Sequence, residues 1–302
     1  MQTICADVAE AKVTRSFLFV PADSEKKLAK AGGVGADALI LDLEDSVAAD
    51  SRPAARQIAK EYLQSGADAD LWVRINPLNT SDSLEDLRAI IPSAPFGVVL
   101  PKAESARDAN QLAKLLDVLE QENSLPPGGI RILPIATERP AALFRMHEYA
   151  DATPRLAGLT WGAEDLSTAV GATASRDENG HWLPPYELAR SLCLFAAAAA
   201  NIPAVDTVYT DFRNIDGLAH YARHARRDGF EGMLAIHPDQ VAAINDAFAP
   251  SSEEIARAQK IVDLFEANPD VGALGMDGEM IDRPHCVQAI RILETAARLR
   301  QR

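Results

Sequence analysis

Short runs of apolar residues alternate with longer amphipathic segments along most of the 302-residue chain. Each short run has the length and composition of a buried strand, and near-continuous apolar strands are typical of a parallel sheet covered on both faces. Eight such runs occur, at residues 16–20, 38–43, 71–75, 96–100, 130–136, 156–161, 202–206 and 232–236. The pattern therefore predicts eight parallel strands.

The segments between these runs carry the apolar spacing of helices. They lie at residues 24–31, 53–64, 83–91, 106–121, 185–200 and 214–227. Ser24 and Ser105 stand where a side-chain oxygen can cap free amides at a helix start. Eight strand–helix units in roughly 240 residues predict an α/β fold, a (β/α)₈ TIM barrel. An open doubly wound sheet is the alternative, but no GxGxxG motif follows the first strand.

A barrel domain at 1–248 leaves residues 249–302 as a C-terminal helical extension. Helical patterns at 251–266 and 284–300 flank a Gly-rich loop at 270–278, and Ser251 with Glu254 has the spacing of a capping box. Because a barrel is complete without these residues, we expect them to cover a barrel mouth or to reach a neighbouring subunit.

Composition and charge reduce the number of functional classes to consider. Hydrophobic residues make up 47% and charged residues 25%, which is ordinary for a globular protein. The net charge of −14 argues against nucleic acid as a partner. Three scattered cysteines fit a reducing compartment, and neither residues 1–13 nor the Ala-rich run 192–200 resembles a signal peptide or a membrane span. We expect a cytoplasmic protein without membrane contact.

Charged residues gather where the predicted strands end, which is where barrel enzymes place reactive groups. Carboxylates on neighbouring strands lie close enough to share one hard cation, and Mg²⁺ accepts one or two of them. The alternative is an internal salt-bridge network, in which two basic residues neutralise the acids. The residues concerned are Glu44, Asp45, Arg74, Lys102, Glu138, Glu164 and Asp165.

Ordered motifs from residue 15 to residue 302 resemble the citrate lyase β-subunit-like family of acyl-CoA lyases, in the HpcH/HpaI aldolase superfamily. The motifs are RSFLFVP (15–21), DLEDSV (42–47), VRIN (73–76), LPKAE (100–104), ERPAA (138–142), GAEDL (162–166), IHP (236–238) and GEMIDRP (278–284). Any one of them is weak, whereas the ordered set is specific.

The resemblance implies a (β/α)₈ enzyme that uses Mg²⁺, or Mn²⁺ in its place. Members make or break a carbon–carbon bond between a 2-oxo acid and an acyl-CoA, as malyl-CoA and citramalyl-CoA lyases do, and assemble as homotrimers or homohexamers. Two alternatives stay open. The chain could be a citrate lyase β-type subunit that acts on a carrier-bound acyl group, or a metal-dependent 2-oxo acid aldolase without CoA. Asp45 favours the CoA-ester lyases, because the aldolases carry histidine there.

The resemblance also implies roles for individual residues. Glu138 and Asp165 match the metal ligands, and Arg74 matches the arginine that binds substrate and takes part in catalysis. Asp282 matches an acid that the C-terminal segment supplies to the neighbouring subunit for proton transfer, although it could simply cap the helix that follows. The remaining expected site residues are catalytic Glu44 and Asp45 and substrate-side Lys102, Ala163 and Glu164.

Overall fold

The structure, a computed structural model, describes residues 13–301. Its contacts separate two compact units, one of Arg15–Asn245 and one that contains the chain from Asp246 onward. The larger unit contains eight strands. They are β1 (Ser16–Pro21), β2 (Ala38–Asp42), β3 (Asp70–Arg74), β4 (Gly97–Leu100), β5 (Arg131–Pro134), β6 (Leu159–Thr160), β7 (Ala204–Asp206) and β8 (Gly232–Ala235).

The eight strands form one parallel sheet in the order β5-β4-β3-β2-β1-β8-β7-β6. Two parallel bridges, Ile132 with Leu156 and Ile135 with Thr160, join β5 to the β6 segment. These bridges close the sheet on itself, so the predicted (β/α)₈ barrel is confirmed and the open-sheet alternative is wrong.

The barrel is filled by alternate side chains of the strands, as the period of two requires. Apolar residues from seven of the eight strands meet in this interior core. They are Phe17, Ala38, Ile40, Trp72, Val99, Leu133, Ile135, Val205 and Leu234. Because the interior is packed, ligands can reach the barrel only at its ends.

Helices follow the strands around the barrel. They are α1 (Glu25–Ala31), α2 (Arg52–Leu63), α3 (Ser81–Ile90), α4 (Ala106–Glu122), α5 (Pro140–Leu143), α6 (Ala163–Ala169), α7 (Pro184–Ala199), α8 (Ile215–Asp228) and α9 (Gln240–Phe248). The Ser105 hydroxyl accepts from the Arg107 amide and caps α4, as predicted. Ser24 occupies the N-cap position of α1 without a side-chain capping bond.

The smaller unit packs α10 (Ser252–Ala267) against α11 (Arg283–Arg300) around Ile261, Phe265 and Ile281. Ser251 and Glu254 form the predicted capping box. The predicted loop is partly wrong, because β9 (Ala273–Met276) and β10 (Glu279–Asp282) pair as an antiparallel hairpin. Asp277 and Gly278 turn it with positive φ angles of 51° and 83°, which Asp-Gly tolerates.

None of the helices that the structure describes is long and apolar enough to cross a lipid bilayer.

Candidate active site

Arg74 and Asp42 form the base of the candidate site at the C-terminal ends of β3 and β2. They are paired across the two strands in the sheet register. The Nε and Nη2 atoms of Arg74 each donate to one oxygen of Asp42, both at 2.6 Å. Burial alone would raise the pKa of Asp42, but the bonds and charge of Arg74 hold it below its usual range. The pair is therefore ionised and fixed.

Glu44 and Asp45 follow Asp42 on the loop after β2. The Arg74 Nη1 atom lies 3.1 Å from Glu44 Oε2 and 3.7 Å from Asp45 Oδ2. Lys102, on the loop after β4, binds the other oxygen of Glu44 and lies 3.1 Å from Asp45 Oδ1. Four of the predicted site residues thus touch one another, and the predicted salt-bridge network is present among them.

Glu138 lies just beyond β5, with only 3% of its surface exposed. The Lys102 backbone amide donates to Glu138 Oε2, and Lys102 adopts a left-handed conformation with φ of 54°. A non-glycine residue in this region carries backbone strain and persists only where its surroundings hold it. Lys102 therefore connects the loops after β2, β4 and β5.

The remaining predicted residues, Ala163, Glu164 and Asp165, lie at the start of α6, just after β6. The Asp165 Oδ1 atom is 3.6 Å from Lys102 Nζ, which joins Asp165 to the cluster. Glu164 is exposed and Ala163 is buried, both in the first turn of α6. Gly162 precedes them, and a Cβ atom there would lie 2.7 Å from the Glu138 Cγ atom. Only glycine lets the Glu138 side chain approach β6 this closely.

Negative charge exceeds positive charge in this cluster. Five carboxylates, of Asp42, Glu44, Asp45, Glu138 and Asp165, interact with two cations, Arg74 and Lys102. Burial and the nearby charge of Asp165 raise the pKa of Glu138 to about 8. Burial raises the pKa of Glu44 to about 6, although Arg74 and Lys102 act in the opposite direction. The salt-bridge network alone does not neutralise the acids.

The donor set can hold a hard divalent cation. Glu138 and Asp165 offer carboxylate oxygens from adjacent strand ends, and the raised pKa of Glu138 is the response of a buried carboxyl to a like charge. The part of the chain that the structure describes contains no group of three His, Cys, Asp or Glu side chains arranged for a metal. Two carboxylates suit a cation such as Mg²⁺, which keeps waters and takes substrate oxygens as further ligands. They do not suit a structural zinc ion, which takes four protein ligands.

Asp282 belongs to the smaller unit, where it is the N-cap residue of α11. Its Oδ1 atom lies 2.5 Å from the His285 Nδ1 atom. The pKa of Asp282 falls below its usual range, chiefly through this hydrogen bond. The capping role considered from the sequence is thus present, and the side chain is partly exposed.

Sequence reasoning underrated three neighbours of the site. Asp42 was visible as a charge inside an otherwise apolar strand, which is a usable signal. Phe19 lies under the Arg74 guanidinium, with its ring centroid 4.8 Å away. The importance of Gly162 depends on a distance between β5 and β6, and no spacing along the chain reveals it.

Known proteins share this arrangement of strands and motifs. The sequence pattern of the HpcH/HpaI aldolase/citrate lyase family matches residues 15–238. A citrate lyase subunit beta-like protein of Mycobacterium tuberculosis is 36% identical over 281 residues, covering 93% of this chain and 94% of its own length. A (3S)-malyl-CoA thioesterase of Cereibacter sphaeroides is 32% identical over 289 residues, covering 93% and 94%.

A solved structure extends the likeness to three dimensions. The CitE protein of Mycobacterium tuberculosis, in complex with magnesium, acetoacetate and coenzyme A, superposes with a TM-score of 0.78 at 34% identity. The match covers 94% of this chain and 98% of that one. The chain belongs to the HpcH/HpaI aldolase/citrate lyase family of lyases, among its citrate lyase β-subunit-like members.

Proposed function

We propose that this protein is a Mg²⁺-dependent lyase that cleaves or forms a carbon–carbon bond in a 3-hydroxyacyl-CoA such as malyl-CoA or citramalyl-CoA. The products of cleavage are a 2-oxo acid and an acyl-CoA. The observation that carries the proposal is the excess of carboxylates over cations at one barrel mouth, with the Arg74 guanidinium among them. The similar CitE protein, whose structure contains magnesium, acetoacetate and coenzyme A, supports the same reaction class.

Glu138 and Asp165 would hold Mg²⁺, with Mn²⁺ as a substitute of similar ligand preference. When bound, the cation supplies Lewis-acid polarisation of the carbonyl oxygen that the cleavage creates. The protein contributes the placement of both carboxylates. Lys102 fixes Glu138 through its backbone amide, and Gly162 leaves the space that the Glu138 side chain occupies.

Arg74 binds the anionic end of the substrate and stabilises negative charge on the reacting oxygen. Asp42 holds Nε and Nη2, so Nη1 is the nitrogen that faces Glu44 and Asp45. A planar guanidinium presents parallel donors to a carboxylate, which a lysine ammonium does not do. Lys102 lies on the loop after β4, and Ala163 and Glu164 lie in the first turn of α6. We assign all three to the substrate-facing wall.

Cleavage moves two protons. A base removes the proton of the 3-hydroxyl group, the electrons of the O–H bond form the new carbonyl, and the carbon–carbon bond breaks toward the thioester. Glu44 suits the base role, because its pKa of about 6 leaves it ionised near neutral pH and its Oε2 atom is buried without a well-aligned hydrogen bond. Asp45 stands beside it as the more exposed acid.

The electron pair of the broken carbon–carbon bond forms a thioester enolate, and the second proton goes to the carbon α to the thioester carbonyl, which becomes the methyl or methylene group of the acyl-CoA. We assign its delivery to Asp282, supplied by the neighbouring copy in a homotrimer or homohexamer. The residues after α9 are not needed to complete a barrel, which supports a role between subunits. We further propose that the enzyme works in the cytoplasm, where CoA thioesters are available.

A panel assay tests the proposal. Purified protein is incubated with Mg²⁺ and malyl-CoA, methylmalyl-CoA or citramalyl-CoA, and the released 2-oxo acid is measured. Release from at least one thioester, abolished by a chelator, is the expected result. Cleavage only after addition of an acyl carrier protein would favour the β-type subunit, and cleavage of the free hydroxy acid would favour the CoA-independent aldolase. No release under any of these conditions would contradict a lyase.

A further inference from the structure

Asp42 is the most heavily hydrogen-bonded carboxylate at the candidate site, and neither its exposure nor its position allows it to meet a substrate directly. Only 1% of its surface is exposed. Besides the two bonds from Arg74, it accepts from the Glu44 amide at 3.0 Å and from the Ser46 amide at 3.2 Å. One carboxylate thus receives four donors from β3 and from the loop after β2.

We infer that Asp42 is a positioning residue, which fixes the Arg74 guanidinium and the loop bearing Glu44 and Asp45 as one rigid group. The inference deepens the proposed function, on which it rests for the identity of the ligand. Its chemical basis is that a buried carboxylate accepting several bonds orients each donor strongly.

The geometry of its hydrogen bonds explains why Asp42 can position both the Arg74 guanidinium and the loop after β2. Oδ1 accepts from Arg74 Nε and from the Glu44 amide, while Oδ2 accepts from Arg74 Nη2 and from the Ser46 amide. Each oxygen therefore connects the arginine to the loop. A neutral residue at position 42 would free Arg74 to turn toward Glu44 and Asp45, the nearest remaining carboxylates.

The same strand offers a matched control for the structural part of this role. Asp37 lies just before β2 and is 4% exposed. It accepts from Arg15 Nε at 2.8 Å, from Arg15 Nη2 at 3.0 Å and from the Arg15 amide at 2.8 Å. Asp37→Asn therefore removes a similar buried carboxylate from an arginine fork, but at the opposite end of β2.

The test compares Asp42→Asn with Asp37→Asn by calorimetric titration of Mg²⁺, and then of pyruvate in the presence of Mg²⁺. We expect Asp42→Asn to weaken pyruvate binding by at least about tenfold while Mg²⁺ binding stays as in the wild type. Asp37→Asn should leave both unchanged. In an Arg74→Lys background, Asp42→Asn should add little further loss, because the fork through which it acts is already absent.

Equal behaviour of the two asparagine variants would overturn the inference, as would a full additional loss in the Arg74→Lys background. The rate at which phenylglyoxal modifies Arg74, followed by mass spectrometry, tests the positioning role without any substrate. It therefore distinguishes a failure of this inference from a failure of the proposed function. If wild-type protein binds no pyruvate, the proposed function fails. Faster modification of Arg74 in Asp42→Asn than in Asp37→Asn would still support the positioning role, and equal rates would refute it.

Hydrogen exchange covers the case in which Asp42→Asn does not fold. In the wild-type protein, the Glu44 and Ser46 amides should exchange far more slowly than in an unstructured peptide, because both donate to Asp42. Exchange of the Ser46 amide at the rate of an unstructured peptide would show that Asp42 does not hold the loop.

Discussion

Arg74 directs its three side-chain nitrogens toward three different acids of one barrel mouth. Asp42 takes two of them at 2.6 Å, and Glu44 and Asp45 lie near the third. Burial opposes the charge of Arg74, yet these acids hold its pKa above its usual range. The side chain therefore stays cationic and immobile, as a residue that binds an anionic substrate should.

Arg74→Lys tests whether this fork matters beyond its charge. Lysine keeps the positive charge but cannot make two parallel bonds to Asp42 while presenting a third donor. We expect kcat/KM to fall by at least about tenfold, equivalent to roughly 1.4 kcal/mol of transition-state stabilisation. Steady-state kinetics on the preferred CoA thioester give the value. An unimpaired lysine variant would mean that Arg74 only balances the strand-end acids.

The acids at strand ends were predictable from the sequence, because a charge directly after a buried strand is expensive unless it meets a partner. Glu44, Glu138 and Asp165 were found in this way, and the structure brings them together around the basic residue Lys102. Which oxygen meets which donor was not predictable. The four donors on Asp42 depend on the register between β2 and β3 and on the loop conformation, which the residue pattern does not contain.

At the scale of elements, the ends of β5 and β6 shape the position of Glu138. A Cβ atom at Gly162 would lie 2.7 Å from Glu138 Cγ and 3.2 Å from Ile135 Cγ2. Gly162→Ala should therefore displace the Glu138 carboxylate and weaken Mg²⁺ binding by about tenfold to a hundredfold. Calorimetry measures the change, and Gly33→Ala is the control, because the added methyl group there would approach only the Lys30 carbonyl oxygen, at 4.0 Å. Unchanged Mg²⁺ affinity would remove Glu138 from the metal site.

A second buried ion pair tests the stability of the barrel away from the site. Arg155, just before the β6 segment, binds both oxygens of Glu120 on α4, at 2.8 and 2.5 Å. Glu120 also accepts from the Gly128 and Ile130 amides. Glu120→Gln leaves Arg155 with only the largely exposed Asp117, at 2.6 Å, as a charged partner. We therefore expect a loss of about 3 kcal/mol in the free energy of unfolding at pH 7.

The pH dependence of that loss has a definite sign. Burial alone would raise the pKa of Glu120, but Arg155 and the two amides hold it below its usual range. A lowered pKa in the folded state means that the stabilisation is present above about pH 4 and disappears as the pH falls further. Urea unfolding at several pH values should show the wild type and Glu120→Gln converging in acid. A gap that widens in acid would contradict the assigned pair.

Long elements with strong periodicity were predicted within a few residues, as α4 and α10 show. The sequence did not reveal α5 and α9, because four and nine residues are too few for a clear helical period. The β9–β10 hairpin was also missed, although its Asp277-Gly278 turn is a recognised signal. Gly-rich flanks made this segment look like a loop.

At the scale of the whole molecule, the proposed role of Asp282 requires an assembly of several copies of the chain. In the single chain it caps α11 and pairs with His285. If it also completes a neighbour's site, Asp282→Asn and Arg74→Ala should each be nearly inactive as pure oligomers. Mixed oligomers formed by co-refolding should regain activity, because some sites then combine an intact Arg74 with an intact Asp282.

Subunit exchange must be verified by mass spectrometry of differently labelled chains. Verified exchange without recovered activity would place Asp282 in its own subunit's site or outside catalysis. Full activity of pure Asp282→Asn would leave the residue with its capping role alone.

Calorimetric titration of Mg²⁺ into the wild type and into Glu138→Ala, Asp165→Ala and Glu164→Ala shows directly whether Glu138 and Asp165 bind the metal. One carboxylate is a poor anchor for Mg²⁺, so the first two variants should lose both metal binding and metal-dependent activity. Glu164→Ala should bind Mg²⁺ as the wild type does, because Glu164 is exposed in the first turn of α6. Wild-type Mg²⁺ affinity in both Glu138→Ala and Asp165→Ala would contradict the proposed metal site and the lyase mechanism built on it.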